Sequence, residues 1–430
     1  MSAQLPGALP ADPLPVTDGD VTVADLHGLK VLVKKVPTAE LTTAQLYIRG
    51  GARNWGKDDA GVERVALAMA ASGGTQALGK VAFGERLATL GTSIGANSGR
   101  DYAWLGFKAL NRNFAPAFDL LAQSFLTPAM PASELELVRE QAIVGLQRED
   151  EQPEGRLAVL TNATLFKGTI YENRAEGTIP SISKLTLAQA QAHLAKLRET
   201  SRLLLVVVGG VEPAEVIALA ANAFGGLPKG SYVDTPLPHP TFAQATLTVE
   251  ERKIPTNYLR GFHSAPGVGQ PGYAAAQVTA AYLWDKLFEE VRTKRNLSYA
   301  PGAGMLVTGG VSMGFVGVSA VDPNAAYKVM LDVLRGLQTT PLTEAELAGA
   351  KAEFLTNFLM GAAATDGQAE QLAFCELSGG SWKLARTFAG EVSAVTPAEV
   401  QAYAKAHMSK LQTVMLGDPA KLDKGLATSL

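Results

Sequence analysis

The chain has 430 residues, with 38 Lys plus Arg against 41 Asp plus Glu and a formal charge of −3. At 47% hydrophobic and 18% charged residues it has the apolar mass for large packed cores, which excludes a disordered chain. The slight acidity, without a basic stripe, excludes the electrostatic footprint of a nucleic-acid binder. The single cysteine, Cys375, allows no intrachain disulfide and no Cys-rich zinc site.

In chain order, Met1 to Val16 carries Pro6, Pro10, Pro13 and Pro15 but no basic or apolar leader region, so no export signal is expected and the location expected is cytoplasmic. Ala44, Leu46 and Ile48 alternate with Gln45, Tyr47 and Arg49, which predicts a half-buried strand. A helix is expected at Gly61 to Met69, strands within Ser93 to Ala109, and helix, turn, helix over Leu120 to Leu146. Thr186 precedes a helical pattern as an N-cap would, and a strand follows from Leu203 to Gly209. The apolar run Leu203 to Val211 is too short to span a bilayer, so no membrane contact is expected.

The pattern then repeats about 210 residues later, which is the mark of an internal duplication. Ser298 to Ala320 matches the strand-rich segment, and Val329 to Leu359 matches the helix pair. Thr396-Pro397 matches the capped helix, with Pro at its first position, and Thr413 to Gly417 matches the strand. An Ala-rich chain can share such segments by chance, but shared order at a near-constant offset favours duplication. The fold class predicted is α+β, with two homologous halves, each a mostly antiparallel sheet with helices packed on it. The boundaries predicted are 1–228, a Pro-rich linker at 229–245 (Pro236, Pro238 and Pro240, after Pro228), and 246–430.

Several local segments carry a resemblance. They are Gly28 to Val33, Ile48-Arg49-Gly50-Gly51-Ala52-Arg53, Gly95-Ala96-Asn97-Ser98 with Arg100-Asp101-Tyr102, and Leu287 to Arg292 continuing to Asn296-Leu297-Ser298-Tyr299. With the duplication, they make the chain similar to the pitrilysin/insulinase family of zinc peptidases over nearly its whole length. The resemblance implies that Gly28 to Val33 is the first strand and that Gly95, Ala96, Asn97 and Ser98 form a sheet-edge strand that pairs with substrate. That family binds zinc through His-x-x-Glu-His on a helix, with the Glu as general base. Here Arg64, Leu67 and Ala68 stand at those three positions, and Gln147 stands where the resemblance places the third ligand, a Glu. Leu and Ala offer no lone pair, and Arg keeps its charge at any working pH. The five histidines, His27, His193, His239, His263 and His407, supply no helical pair. No metal is therefore expected in this chain. Glu63, Glu140 and Glu149 are expected on solvated helix surface.

The resemblance further implies that Arg292 and Tyr299 reach a substrate held by a partner. Tyr299 would donate to the developing oxyanion and Arg292 would orient the substrate. The residues alone leave other readings open: Arg292, Lys294 and Arg295 as a solvated helix end, and Tyr299 as a core residue at the start of an apolar strand. The function expected is that of the non-metal subunit of a heteromeric zinc peptidase acting on peptides or unfolded polypeptides. Zinc would sit in a paralogous partner. The alternatives are an inert structural or peptide-binding relative and a self-sufficient metallopeptidase with unorthodox ligands.

Overall fold

The computed structural model describes residues 13–235 and 242–430. Pro236, Pro238 and Pro240 of the expected linker, like Pro6 and Pro10, lie outside the described residues. The first half opens with β1 (Val16–Asp18), β2 (Val21–Leu26), β3 (Leu29–Lys35) and β4 (Leu41–Arg49). Two strands thus precede the Gly28 to Val33 segment, which supplies β3. Helices α1 (Val62–Ser72) and α2 (Lys80–Thr89) lead to the hairpin of β5 (Gly95–Ser98) and β6 (Tyr102–Leu110). Helices α3 (Phe114–Leu126), α4 (Ala132–Glu151), α5 (Pro153–Leu165), α6 (Ile179–Lys184) and α7 (Leu187–Lys196) precede β7 (Leu203–Gly209), and α8 (Pro213–Phe224) follows it.

The second half runs β8 (Thr246–Glu251), β9 (Asn257–Ala265), α9 (Tyr273–Leu287) and a π-helical turn, Phe288–Thr293. The hairpin of β10 (Gly302–Thr308) and β11 (Val311–Ala320) comes next. Then come α10 (Pro323–Thr339), α11 (Glu344–Gly361), α12 (Thr365–Gly379), α13 (Leu384–Ala394), α14 (Pro397–His407), β12 (Gln412–Gly417) and α15 (Lys424–Ala427).

The first sheet has the order β1-β2-β3-β7-β4-β6-β5, and the second β10-β11-β9-β12-β8. Without β1 and β2 the orders correspond strand for strand, with β3, β7, β4, β6, β5 matching β8, β12, β9, β11, β10. The pairs β3/β7 and β8/β12 are parallel and the others antiparallel. The duplication extends to local chemistry. Thr186 and Thr396 both close capping boxes, with Gln189 and Glu399, each worth about 1 kcal/mol. Gly61 and Gly272 start α1 and α9 with φ of 89° and 88°, a left-handed cap that disfavours other residues.

The two halves cover each other. Helix α12 of the second half packs on β4 and β7, where Ala369, Leu372 and Ala373 meet Leu32, Tyr47, Leu204 and Val206. Helix α5 of the first half packs on β9 and β12, where Leu157 meets Phe262, Val414 and Leu416. This corrects the half-buried reading of β4. Tyr47 and Gln45 are buried along with Ala44, Leu46 and Ile48, because a helix from the other half takes the place of solvent. The hairpin tips also meet: Asp101 Oδ1 accepts from the Gly309 backbone N–H at 2.7 Å and from the Tyr171 hydroxyl at 2.5 Å.

Candidate functional site

Strand β4 ends in Gly50 and Gly51, with φ of 110° and 46°. A Cβ on Gly50 would lie 2.2 Å from Asn54 Oδ1, and one on Gly51 would lie 2.3 Å from the Arg100 carbonyl oxygen. Only glycine permits this turn, and the turn brings Asn54 against α1. Asn54 Nδ2 donates to Glu63 Oε2 at 2.9 Å, and Asn54 Oδ1 accepts from Arg202 Nη1 at 2.5 Å. The Ser98 hydroxyl donates to Glu63 Oε1 at 3.2 Å, and His193 Nε2 lies 3.1 Å from Glu63 Oε2.

Glu63 is 0% exposed, so the expectation of a solvated helix surface is wrong for it. A carboxylate survives burial when its lone pairs are satisfied, and here Asn54, Ser98 and His193 satisfy them. Glu140 is exposed as expected. Glu149 is partly exposed and pairs with Arg174. Sequence reasoning missed this network. The available signal was helical spacing, because Glu63 shares a face with Leu67 and Ala70.

Arg64 and Ala68, at i and i+4, are both partly accessible on α1, while Leu67 is 1% exposed. Helix α1 packs on α4, which carries Gln147 exposed near its end. The residues do not fit a catalytic zinc. At the positions that the resemblance assigns to the ligands, Arg64 and Ala68 offer a guanidinium and a methyl group, Leu67 a buried aliphatic chain and Gln147 a neutral amide. Among the described residues no three His, Cys, Asp or Glu side chains gather as a metal site.

Strand β5 is the last of its sheet and pairs with β6 from Gly95↔Gly106 to Ser98↔Ala103. Gly95 and Asn97 are exposed, Ala96 is partly buried, and Ser98 is buried against Glu63. The end of the strand opens on a cavity of about 570 Å³ lined by Asn97, Gly99, Tyr102 and Trp104 with Glu370 and Phe374 of the second half.

Arg292 and Tyr299 come together. The Arg292 guanidinium carbon lies 4.2 Å from the Tyr299 ring centre and 4.6 Å from that of Phe288. The π-helical turn shifts Arg292 out of α-helical register, and both rings lie within cation–π distance of its guanidinium. Tyr299 is 79% exposed and lies before β10, so the structure does not support the core reading. Arg292 also differs from its neighbours Lys294 and Arg295, which pair with Glu290 and pull its carboxyl down to about 2. Among the described residues Arg292 has no carboxylate partner. Arg292 and Tyr299 line a cavity of about 390 Å³ with Trp284, Phe288, Phe315 and Leu157, and no residue of α1 lines it.

Comparison with known proteins agrees with this architecture. A family model described as Insulinase (Peptidase family M16) matches residues 30–178, and one described as Peptidase M16 inactive domain matches residues 184–354. The chain belongs to peptidase family M16. An uncharacterized zinc protease of Mycobacterium tuberculosis is 23% identical over 415 residues, covering 94% of both chains. Cytochrome b-c1 complex subunit 1 of Bos taurus is 25% identical over 205 residues, 47% of this chain and 42% of that protein. The crystal structure of a peptidase M16 inactive domain from Pseudomonas fluorescens superposes with a TM-score of 0.84 at 22% identity, covering 93% of this chain and 98% of that one. Within this M16 chain, then, α1 presents Arg64 and Ala68 where the sequence resemblance places the metal motif, and the second half carries an adjacent Arg–Tyr pair at an open cavity.

Proposed function

We propose that this M16 chain is the non-metal subunit of a heteromeric zinc peptidase and acts on peptides or unfolded polypeptides. A paralogous subunit with an intact His-x-x-Glu-His helix would hold the zinc, and this chain would hold none. The observation that carries the reading is the Arg292–Tyr299 pair. A guanidinium within 4.2 Å and 4.6 Å of two ring centres, with no carboxylate ion-pair partner among the described residues, is available to receive a substrate carbonyl. The exposed Tyr299 hydroxyl can donate to a carbonyl oxygen as negative charge grows on it, which favours the transition state over the bound substrate. The free edge of β5 can take the peptide backbone as an added strand.

Reconstitution with a paralogue carrying the intact motif tests this. Peptide hydrolysis is expected only in the mixture, and Tyr299→Phe is expected to lower its kcat about 10²-fold without changing complex formation by size exclusion. Hydrolysis by this chain alone with stoichiometric zinc would falsify the assignment. A second reading is favoured by the likeness to the b-c1 subunit: an inert structural member of a larger assembly. On that reading Tyr299→Phe and Arg292→Ala leave turnover unchanged.

A further inference from the structure

Helices α9, α11, α12 and α13 enclose a cavity of about 620 Å³ in the second half, away from the Arg292–Tyr299 pair. One wall is aromatic. The Phe388 ring lies 5.4 Å from Tyr273, 5.9 Å from Phe354 and 5.6 Å from Phe358. Two carboxylates, Glu370 and Glu391, also line it, and both are exposed. Glu391 accepts from the Thr387 hydroxyl at 2.9 Å, but among the described residues neither carboxylate has a Lys, Arg or His partner. This is unlike Glu376 on the same α12, which Lys30 meets at 2.6 Å.

We propose that this cavity is a subsite for a Lys or Arg side chain of an extended peptide. Such a side chain has an apolar stem and a cationic head, and the cavity offers rings for the first and carboxylates for the second. A neutral apolar side chain would desolvate the two carboxylates without compensation, and an anionic one would be repelled. The placement suits a peptide. Val307, Glu370 and Phe374 line both this cavity and the neighbouring one that reaches Asn97 and Gly99 at the end of β5. A chain added to the β5 edge would therefore continue into the aromatic cavity. The inference rests on the peptide-binding reading proposed above and specifies its substrate class as basic.

The test uses fluorescence anisotropy with the full chain and a short labelled peptide of Ala, Ser and Leu carrying one central Arg. The controls have Gln or Leu at that position. The Arg peptide is expected to bind about five-fold tighter than either control, with the difference shrinking as salt rises. The pair Glu370→Gln and Glu391→Gln is isosteric and exposed, so it preserves the fold; it is expected to erase the preference. Phe358→Ala is expected to weaken the Arg peptide while leaving the thermal midpoint near that of the parent. Equal binding of the three peptides, no measurable binding of the Arg peptide, or a preference that survives the double substitution overturns the proposal. Turnover of the reconstituted pair is a separate readout. An Arg preference without trans-activated hydrolysis would sink the subunit reading alone, and hydrolysis without the preference would sink this subsite alone.

Discussion

A buried carboxylate such as Glu63 depends on its partners. Replacing it with Ala would take the shared acceptor from the Ser98 hydroxyl and His193 in a dry site and leave Asn54 Nδ2 with the Arg49 carbonyl alone. Orphaned buried polar groups cost about 1–3 kcal/mol each. Glu63→Ala is therefore expected to lower the unfolding free energy by at least that cost, read as a lower urea midpoint, and Glu63→Gln, which keeps one acceptor oxygen, by less. An unchanged midpoint would show that the network contributes nothing. That Arg64, Leu67 and Ala68 are poor metal ligands is legible in the sequence, because it is a property of each side chain alone. The burial of Glu63 was not, because the partner that seals it, His193, is 130 residues away.

Among the elements, the packing of α9 against α11 carries a titratable contact. Glu353 of α11 lies against Asp285 of α9, and burial, then this neighbour, raises its carboxyl from 4.5 to about 7. The Oε2 atom of Glu353 is buried with no hydrogen-bond partner among the described residues. The folded chain thus holds the proton more tightly than the unfolded chain does. The stability this contributes is fully present below pH 4.5 and is lost as pH rises through about 7. Thermal midpoints of the parent chain are expected to fall across that window relative to Glu353→Gln, which cannot ionise; parallel curves would refute the raised Glu353 carboxyl. Element order, hairpins and the Thr-capped helices were readable because caps, turns and apolar periods are local. The second buried face of β4 was not, since its own alternation gave no sign that α12 would cover Tyr47 and Gln45.

For the whole molecule, the covering helices make the halves interdependent. Leu372 on α12 and Leu157 on α5 each fill the sheet of the other half. A buried Leu→Ala change costs about 2–5 kcal/mol. If the halves fold as one unit, Leu372→Ala is expected to lower amide-exchange protection in β4 and β7 as well as in α12. Protection lost in α12 alone would show that the halves are energetically separate. The duplication was visible as matching order along the chain; the crossing of α5 and α12 between the copies was not, because it is set by three-dimensional packing and not by period.

This crossing also bears on how the chain can be divided. A protease cut between Phe224 and Thr246 would leave two fragments, each lacking the helix that seals its own sheet. Tyr47 would be wetted on one fragment and Phe262 on the other, and each missing cover would sit on the opposite piece. The nicked fragments should stay associated, and each expressed singly should aggregate. A gene split at that point would then yield two polypeptides that need each other to be soluble.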